Sequence, residues 1–281
     1  MYKSQITRAH KGAIVLLLDQ SGSMAEEIAF GGRVMTKAEA LCEAVNELLE
    51  ELVGRCKREH FVGDYFDVGI IGYSGDEARH LLGGGFMSIV KIDSLDTQTK
   101  SHLITRTLPS GQQFQTLIDR RVWITPQAKG RTPMGAALRL AHRMCQSWCN
   151  NHPESFPPVV INISDGEATD ASSDEIISLA ENIKALGTSD GSTVLLNIHL
   201  ATEQDSAPLH LSFPSEGYTL PDNRHLRLLH TISSTLPELY NEAIAQLNGA
   251  TPPFRGICFN CPITELTGLL AIGTISVDMI I

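Results

Sequence analysis

A short apolar run that ends in a cluster of oxygen-bearing side chains constrains the fold of this chain most. Residues 14–18 read Ile-Val-Leu-Leu-Leu, with no polar alternation. Such a run is typical of a strand covered on both faces, as in a parallel sheet. Asp19, Ser21 and Ser23 follow directly, at the strand end where open α/β sheets place their ligands. Oxygen donors favour a hard divalent cation such as Mg²⁺ or Mn²⁺.

The rest of the chain alternates strand and helix patterns. Buried strands are predicted at 67–73, 159–163, 194–200 and 256–259. An edge strand is predicted at 86–92, and a short strand is predicted to end at 122–124. Helices are predicted at 36–57, 133–149 and 235–247, and two more are predicted to begin at 172 and 262. Ser172 with Glu175, and Thr235 with Glu238, have the spacing of capping boxes. The alternation predicts an α/β fold: a doubly wound, mostly parallel, Rossmann-like sheet with helices on both faces and one short antiparallel edge strand.

Two later segments add further oxygen donors at predicted loop positions. Thr132 precedes Pro133 at the start of a helix, and Asp165 follows the strand at 159–163. Each residue alone has an ordinary explanation, Thr132 as a helix N-cap and the two aspartates, Asp19 and Asp165, as turn residues. If every one of these explanations held, the residues would stand in this order along the chain only by coincidence. We therefore expect them to act together at one site.

The set Asp19-x-Ser21-x-Ser23, Thr132 and Asp165 resembles the metal-ion-dependent adhesion site (MIDAS) of von Willebrand factor A (VWA) domains. The resemblance covers nearly the whole chain. It implies that Ser21, Ser23 and Thr132 approach the metal through hydroxyls. Asp19 and Asp165 would act through water or orient those hydroxyls. The expected ion is Mg²⁺, with Mn²⁺ or Ca²⁺ as alternatives, and it would bind an Asp or Glu of a partner protein.

The resemblance also bears on domain organisation and setting. We expect one VWA domain over residues 1–281, in which the segments 74–123 and 202–234 are longer than a minimal domain of this kind needs. The second follows the carboxyl end of a strand, so we expect it to lie near the metal and to shape partner choice. The layout resembles bacterial cytoplasmic VWA proteins of tellurite-resistance and stress clusters, some of which are associated with protein kinases and phosphatases.

Two alternatives to a binding module come from different function classes. A metal-dependent phosphohydrolase of the haloacid dehalogenase type also has an Asp after its first strand, but its second acid would stand at position 21, which is Ser21 here. The sequence also lacks an HExxH motif and a Walker A loop. A scaffold with a purely structural metal site is the other alternative. We expect no enzymatic activity.

Charge and hydropathy limit the partners further. The formal net charge of -10 argues against nucleic-acid binding, which relies on a basic surface. The apolar run at 13–18 is too short for a signal peptide or a membrane span, and polar residues interrupt the apolar stretch at 266–281. We therefore expect a cytoplasmic protein without membrane insertion.

Six cysteines are too few for a disulfide scaffold in a chain of 281 residues. Cys258-Phe259-Asn260-Cys261 has the spacing of half a zinc or redox site, and Cys145 with Cys149 offers a second half. Buried free thiols, which behave as small hydrophobic side chains, are the favoured interpretation.

Overall fold

The computed structural model describes residues 1–30, 33–107, 113–201, 209–276 and 280. The strands are β1 (Gly12–Asp19), β2 (Glu27–Phe30), β3 (Arg33–Thr36), β4 (Phe66–Ser74), β5 (Glu77–His80), β6 (Met87–Ser88), β7 (Gln98–Thr107), β8 (Gln113–Val122), β9 (Val159–Ser164), β10 (Gly187–Thr188), β11 (Gly191–Ser192), β12 (Val194–Leu200), β13 (Leu211–Ser212) and β14 (Ile257–Cys261). The α-helices are α1 (Lys37–Cys56), α2 (Ile89–Ser94), α3 (Met134–Asn151), α4 (Ser173–Ala185), α5 (Arg224–Ile232), α6 (Asn241–Asn248) and α7 (Leu266–Gly273).

Five parallel strands form the centre of the main sheet, in the order β14-β12-β9-β1-β4. Short strands extend it in antiparallel fashion at both ends, β5 and β6 beside β4 and β13 beside β14. The predicted α/β class with a mostly parallel, doubly wound sheet is therefore confirmed. The sequence predicts one antiparallel edge, whereas the structure has antiparallel strands at both edges.

Strand β1 is buried on both faces because each face is covered by helices. Ile14, Leu16 and Leu18 pack in the layer that contains α1 and α7. Val15 and Leu17 pack in the opposite layer, with α3, α4 and α5. The continuous apolar run in the sequence is the signature of this double burial.

The order of the strands creates a crevice beside β1. From β1 the chain passes to β4 on one side, and it later returns to β9 on the other. The loops that follow β1 and β9 therefore diverge at the carboxyl edge of the sheet, which is the position at which doubly wound folds bind ligands.

Two of the predicted helix starts have complete capping boxes. The side chain of Thr36 accepts from the Glu39 N–H while Glu39 accepts from the Thr36 N–H, and Ser172 with Glu175 does the same at α4. At Thr235 the predicted capping box is wrong. That residue pairs with Arg255 in an isolated bridge and its hydroxyl donates to a carboxylate oxygen, so its side chain is engaged elsewhere.

The predicted edge strand at 86–92 is also wrong in its extent. Only Met87 and Ser88 pair with β4, and helix α2 begins at Ile89. Ser88 caps this helix by accepting from Lys91, and Ile89 and Ile92 are both buried. Two apolar residues three positions apart fit one helix face, which the short sequence window does not distinguish from a strand.

Both long segments are attached to the main body. In the first, β7 and β8 form a separate hairpin whose Lys100 and Arg120 form ion pairs with α1 at 3.2 and 2.8 Å. In the second, residues 202–208 lie outside the described residues, and α5 buries leucine and isoleucine side chains in the core. The part of 202–234 that is described therefore belongs to the domain's packing. In the described part of the chain, no helix has the length and apolar character needed to cross a membrane.

Candidate metal centre

Direct contacts join the loops after β1 and β9. Asp19 is the last residue of β1, and the loop continues through Ser21 and Ser23 into a short 3-10 turn. The hydroxyls of Ser21 and Ser23 lie 3.1 Å apart, and the Ser23 hydroxyl donates to Oδ1 of Asp165 at 2.6 Å. The two loops, 142 positions apart in sequence at these residues, therefore share one hydrogen-bonded oxygen cluster.

Backbone hydrogen bonds hold the loop that contains Thr132 beside this cluster. The Gly22 N–H donates to the Gly130 carbonyl at 2.9 Å, which joins the Thr132 loop to the loop that follows β1. The Thr132 N–H donates to the Thr169 hydroxyl, and the Thr169 N–H donates to the Thr132 carbonyl, both at 3.0 Å. A Cβ built on Gly166 would lie 3.7 Å from the Thr132 hydroxyl oxygen. The structure thus brings all five residues predicted for the site to one edge of the sheet.

Asp19 is almost completely buried, and its two carboxylate oxygens are held by different loops. Oδ1 accepts from the Ser21 N–H at 2.8 Å, and Oδ2 accepts from the Ser164 hydroxyl at 2.6 Å. Burial raises the pKa of Asp19 to about 6, although these hydrogen bonds act in the opposite direction, and the nearby carboxylate of Asp165 adds to the rise. The carboxylate is fixed in position, and none of the described cationic side chains forms an ion pair with it.

Lys37 is a functional candidate that the sequence does not reveal. It is the first residue of α1, and only 1% of its surface is exposed. Its ammonium nitrogen lies 3.4 Å from Oδ2 of Asp165 and also forms an ion pair with Glu26. A lysine in the first turn of a helix usually extends into solvent, because buried charges require partners. The Lys37 ammonium group can be buried because Glu26 and Asp165, on two different loops, supply its counter-charges.

The donor set fits a hard divalent cation. In the described part of the chain, the Lys37 ammonium group pairs with the carboxylates of Glu26 and Asp165, and no cationic side chain forms an ion pair with Asp19. A divalent cation would balance this excess of negative charge. Every donor among the predicted site residues is a hydroxyl or carboxylate oxygen, as Mg²⁺, Mn²⁺ and Ca²⁺ prefer.

Two residues near the site serve the scaffold. Asp170 lies at the same rim, where its carboxylate accepts from the N–H groups of Gly135 and Ala136 at 2.9 and 2.8 Å and so caps α3. His199, opposite Ser164 in the sheet, stacks on Phe259 with ring centroids 4.6 Å apart and is a packed residue of β12. Asp170 therefore positions the start of α3, and His199 belongs to the packing of the sheet.

Comparisons with known proteins give limited information. No family model and no curated protein sequence matches the chain. Similar solved structures include a von Willebrand factor type A protein from Catenulispora acidiphila, at 13% identity and a TM-score of 0.39 over 68% of this chain and 34% of that chain. The present chain thus spans about a third of the length of that protein.

Two further solved structures align over more of the chain. The vWF domain of the type V pili tip protein Mfa5 from Porphyromonas gingivalis is 11% identical, with a TM-score of 0.34 over 98% of this chain and 86% of that chain. An uncharacterized membrane spanning protein from Vibrio fischeri is 14% identical, with a TM-score of 0.28 over 86% of this chain and 89% of that chain.

Proposed function

We propose that this protein is a metal-dependent protein–protein interaction module with a MIDAS-type site. Ser21, Ser23 and Thr132 would bind the cation through their hydroxyls, and Asp19 and Asp165 would orient those hydroxyls or act through water. The resident ion would be Mg²⁺, with Mn²⁺ or Ca²⁺ as alternatives. The observation that supports this most is the hydrogen-bonded cluster of hydroxyls and carboxylates, which joins two loops at the switch point of the sheet.

The chemistry of the donors explains why such a site would recognise a partner. A divalent ion held directly by neutral hydroxyls keeps most of its positive charge, and it therefore attracts a carboxylate from outside. The proposed ligand is an Asp or Glu side chain of a partner protein. The setting we propose is a bacterial, cytoplasmic stress or signalling system, in which a protein linked to a kinase or phosphatase would be such a partner.

The proposal includes no enzymatic activity. A haloacid dehalogenase-type reaction would need a general acid two residues after Asp19, and Ser21 occupies that position. The hydroxyl of Ser21 contacts the hydroxyl of Ser23, and no histidine takes part in the hydrogen bonds described for either side chain. A metal site with a purely structural role is the remaining alternative, and the experiments below distinguish it from a docking site.

Metal binding is tested first, by calorimetric titration of the metal-free protein with Mg²⁺ and Mn²⁺. Ser23→Ala removes a hydroxyl from an exposed position and should weaken binding at least about tenfold, because the variant loses a ligand oxygen that would otherwise contact the ion. Ser147→Ala, at an exposed position of α3, is the matched control and should bind like the wild type. Equal affinity in wild type and Ser23→Ala would contradict the assigned ligands.

Partner binding is tested by affinity capture from a lysate of the source organism, once in Mg²⁺ and once in EDTA. A protein that is captured by the wild type in Mg²⁺, but neither in EDTA nor by Ser23→Ala, would support docking through the metal. Capture that is insensitive to EDTA and to the substitution would mean that the ion is structural and that recognition occurs elsewhere. Competition by a short acidic peptide, compared with its amide counterpart, tests whether a carboxylate is the recognised group.

A further inference from the structure

The backbone of β14 brings two thiols to the same side of the sheet. In a regular strand, residues three positions apart point to opposite faces. Asn260, however, has a left-handed φ of 51°, and the pairing of β14 with β12 shifts register at this point. As a result, Cys258 and Cys261 both lie in the core layer that contains α1, whereas Phe259 lies in the opposite layer. The CxxC segment is therefore bent, and both of its thiols face the same layer.

Two further side chains with metal-binding chemistry approach Cys261. His210 immediately precedes β13, and Glu265 ends the 3-10 turn after β14. Nε2 of His210 lies 3.2 Å from a carboxylate oxygen of Glu265. One ligand atom from each of His210, Cys261 and Glu265 lies within 4.8 Å of the other two. Cys145 and Cys149, which the sequence offers as a second pair of ligands, lie instead in layers on the α3 side of the sheet.

These separations are close to those of a zinc site. With ordinary zinc bond lengths, ligand atoms at tetrahedral angles lie about 3.3–3.5 Å apart. His210 and Glu265 already have that separation. Binding would therefore need a movement of about 1 Å by the Cys261 thiol, within the reach of a side-chain rotation.

Polar groups surround the thiol of Cys261. The Ser212 hydroxyl lies 3.8 Å from Sγ of Cys261 and 3.2 Å from Nε2 of His210. A thiolate beside an imidazole and a carboxylate is a donor set that zinc binds more readily than magnesium does.

We propose that His210, Cys261 and Glu265 bind a zinc ion at the edge of the sheet formed by β13 and β14. The fourth ligand would be water, because His210 and Glu265 border an open groove of about 460 Å³. This site is separate from the proposed MIDAS-type centre, since β9 and β12 lie between β1 and β14. It uses sulfur and nitrogen donors, which the oxygen-only centre lacks.

The simpler alternative is a surface ion pair beside a buried thiol. His210 and Glu265 are both more than 40% exposed, and an ion pair between exposed groups contributes little to stability. In that case a divalent cation would bind at this edge weakly and without any sulfur ligand. A sulfur–metal bond is therefore the property that separates the two explanations.

Cobalt(II) is the probe, because a thiolate bound to cobalt gives a charge-transfer absorption in the near ultraviolet that oxygen ligands do not give. The full-length, reduced, metal-free protein is titrated with cobalt in excess Mg²⁺, and zinc is then added. We expect one cobalt per chain, with the thiolate band and the strong visible bands of tetrahedral cobalt, and loss of both when zinc displaces it. Absence of the thiolate band from the folded wild type would overturn the proposal.

Variants assign the ligands. Cys261→Ser should abolish the thiolate band, and His210→Gln and Glu265→Gln should weaken cobalt binding at least about 100-fold, since loss of outer-shell partners alone costs about 10- to 100-fold. The last two positions are exposed, so these variants should fold. Cys149→Ser, which removes a buried thiol that has a histidine three positions later, should keep the full signal. A thiolate band that persists in Cys261→Ser would also overturn the proposal.

The oxygen centre is tested independently in the same assay. Ser23→Ala should retain the cobalt thiolate band even if it loses Mg²⁺. The zinc proposal and the proposed function can therefore fail separately.

Discussion

At the level of single residues, the ammonium group of Lys37 lies beside the same carboxylate that the proposed cation would approach. It contacts Asp165 at 3.4 Å and pairs with Glu26; Lys37 and Asp165 are buried, and Glu26 is half-buried. In the metal-free protein it supplies positive charge to an acidic pocket. When a divalent ion is bound, the same ammonium group would repel it. Lys37 is therefore expected to stabilise the metal-free state at the expense of metal affinity.

Replacing Lys37 with methionine tests this double role. Without metal, the variant should lose about 3 kcal/mol in free energy of unfolding, because removal of one partner leaves buried carboxylates without a counter-charge. Its Mg²⁺ affinity should rise at least about tenfold, since like charges a few Å apart repel by several kcal/mol even at an effective dielectric constant of ~20. Urea denaturation in EDTA and calorimetric titration with Mg²⁺ measure the two effects. Lys91→Met, at an exposed position of α2, is the control. Unchanged Mg²⁺ affinity in Lys37→Met would refute the electrostatic role of Lys37.

At the level of elements, the site is an assembly of loops that pack through their backbones. Gly130 has a φ of +73°, and a Cβ at this position would lie 2.8 Å from Cα of Gly75 at the end of β4. The Gly75 N–H donates to the Arg131 carbonyl at 3.0 Å, and the Gly130 carbonyl accepts from Gly22. Close contact of three loop backbones thus sets the position of the Thr132 loop.

Gly130→Ala should disturb this packing. We expect a loss of about 2–3 kcal/mol in stability, because alanine disfavours a left-handed conformation and its methyl group would displace Gly75. Mg²⁺ binding should weaken as well, since Thr132 would move away from the cluster. Gly54→Ala is a matched control within α1, where an added methyl group meets nothing within 4 Å. That change should instead stabilise the protein by about 0.5–1 kcal/mol. Thermal denaturation gives both values, and similar stability of the two variants would contradict the close packing.

At the level of the whole molecule, the layer over β12 and β14 contains two histidines that are kept neutral. His199 stacks on Phe259, and the ring of His225 lies 4.9 Å from that of His199. Burial lowers the pKa of His199 to about 3, with a further decrease from His225, and burial also lowers the pKa of His225. Lys37 acts on His199 in the same direction, while a hydrogen bond to the Asp165 backbone opposes them.

Protonation of His199 should therefore destabilise the folded state in mild acid. A histidine whose pKa is lowered by folding contributes its full stability above its ordinary pKa near 6.5, and this contribution is lost as the pH falls from there towards 3. For His199 alone the loss between pH 7 and pH 5 is about 2 kcal/mol. Urea denaturation at the two pH values should show a smaller loss in His199→Phe than in wild type. His60→Gln, at an exposed position, is the control and should behave like wild type. Equal losses of stability between pH 7 and pH 5 in all three proteins would exclude His199 as the cause.

Features that depend on neighbouring residues could be predicted from the sequence. The apolar run of β1 and the capping box of Ser172 are local patterns, and the structure contains the corresponding elements. The α/β class followed from their alternation. The five residues expected at the oxygen site could be named because Asp19-x-Ser21-x-Ser23, Thr132 and Asp165 resemble the MIDAS motif of VWA domains in residue type and order.

Features that depend on distant segments became visible only in the folded structure. Lys37 is buried because two acidic loops close over it, and Thr235 caps no helix because it pairs with Arg255. Cys261 meets His210 and Glu265 through a left-handed residue in β14 that no local pattern predicts. Neighbouring residues determine whether a segment prefers a helix or a strand and which face of that element is apolar. The partners of a buried charge or thiol come from parts of the chain that meet only after the sheet has formed.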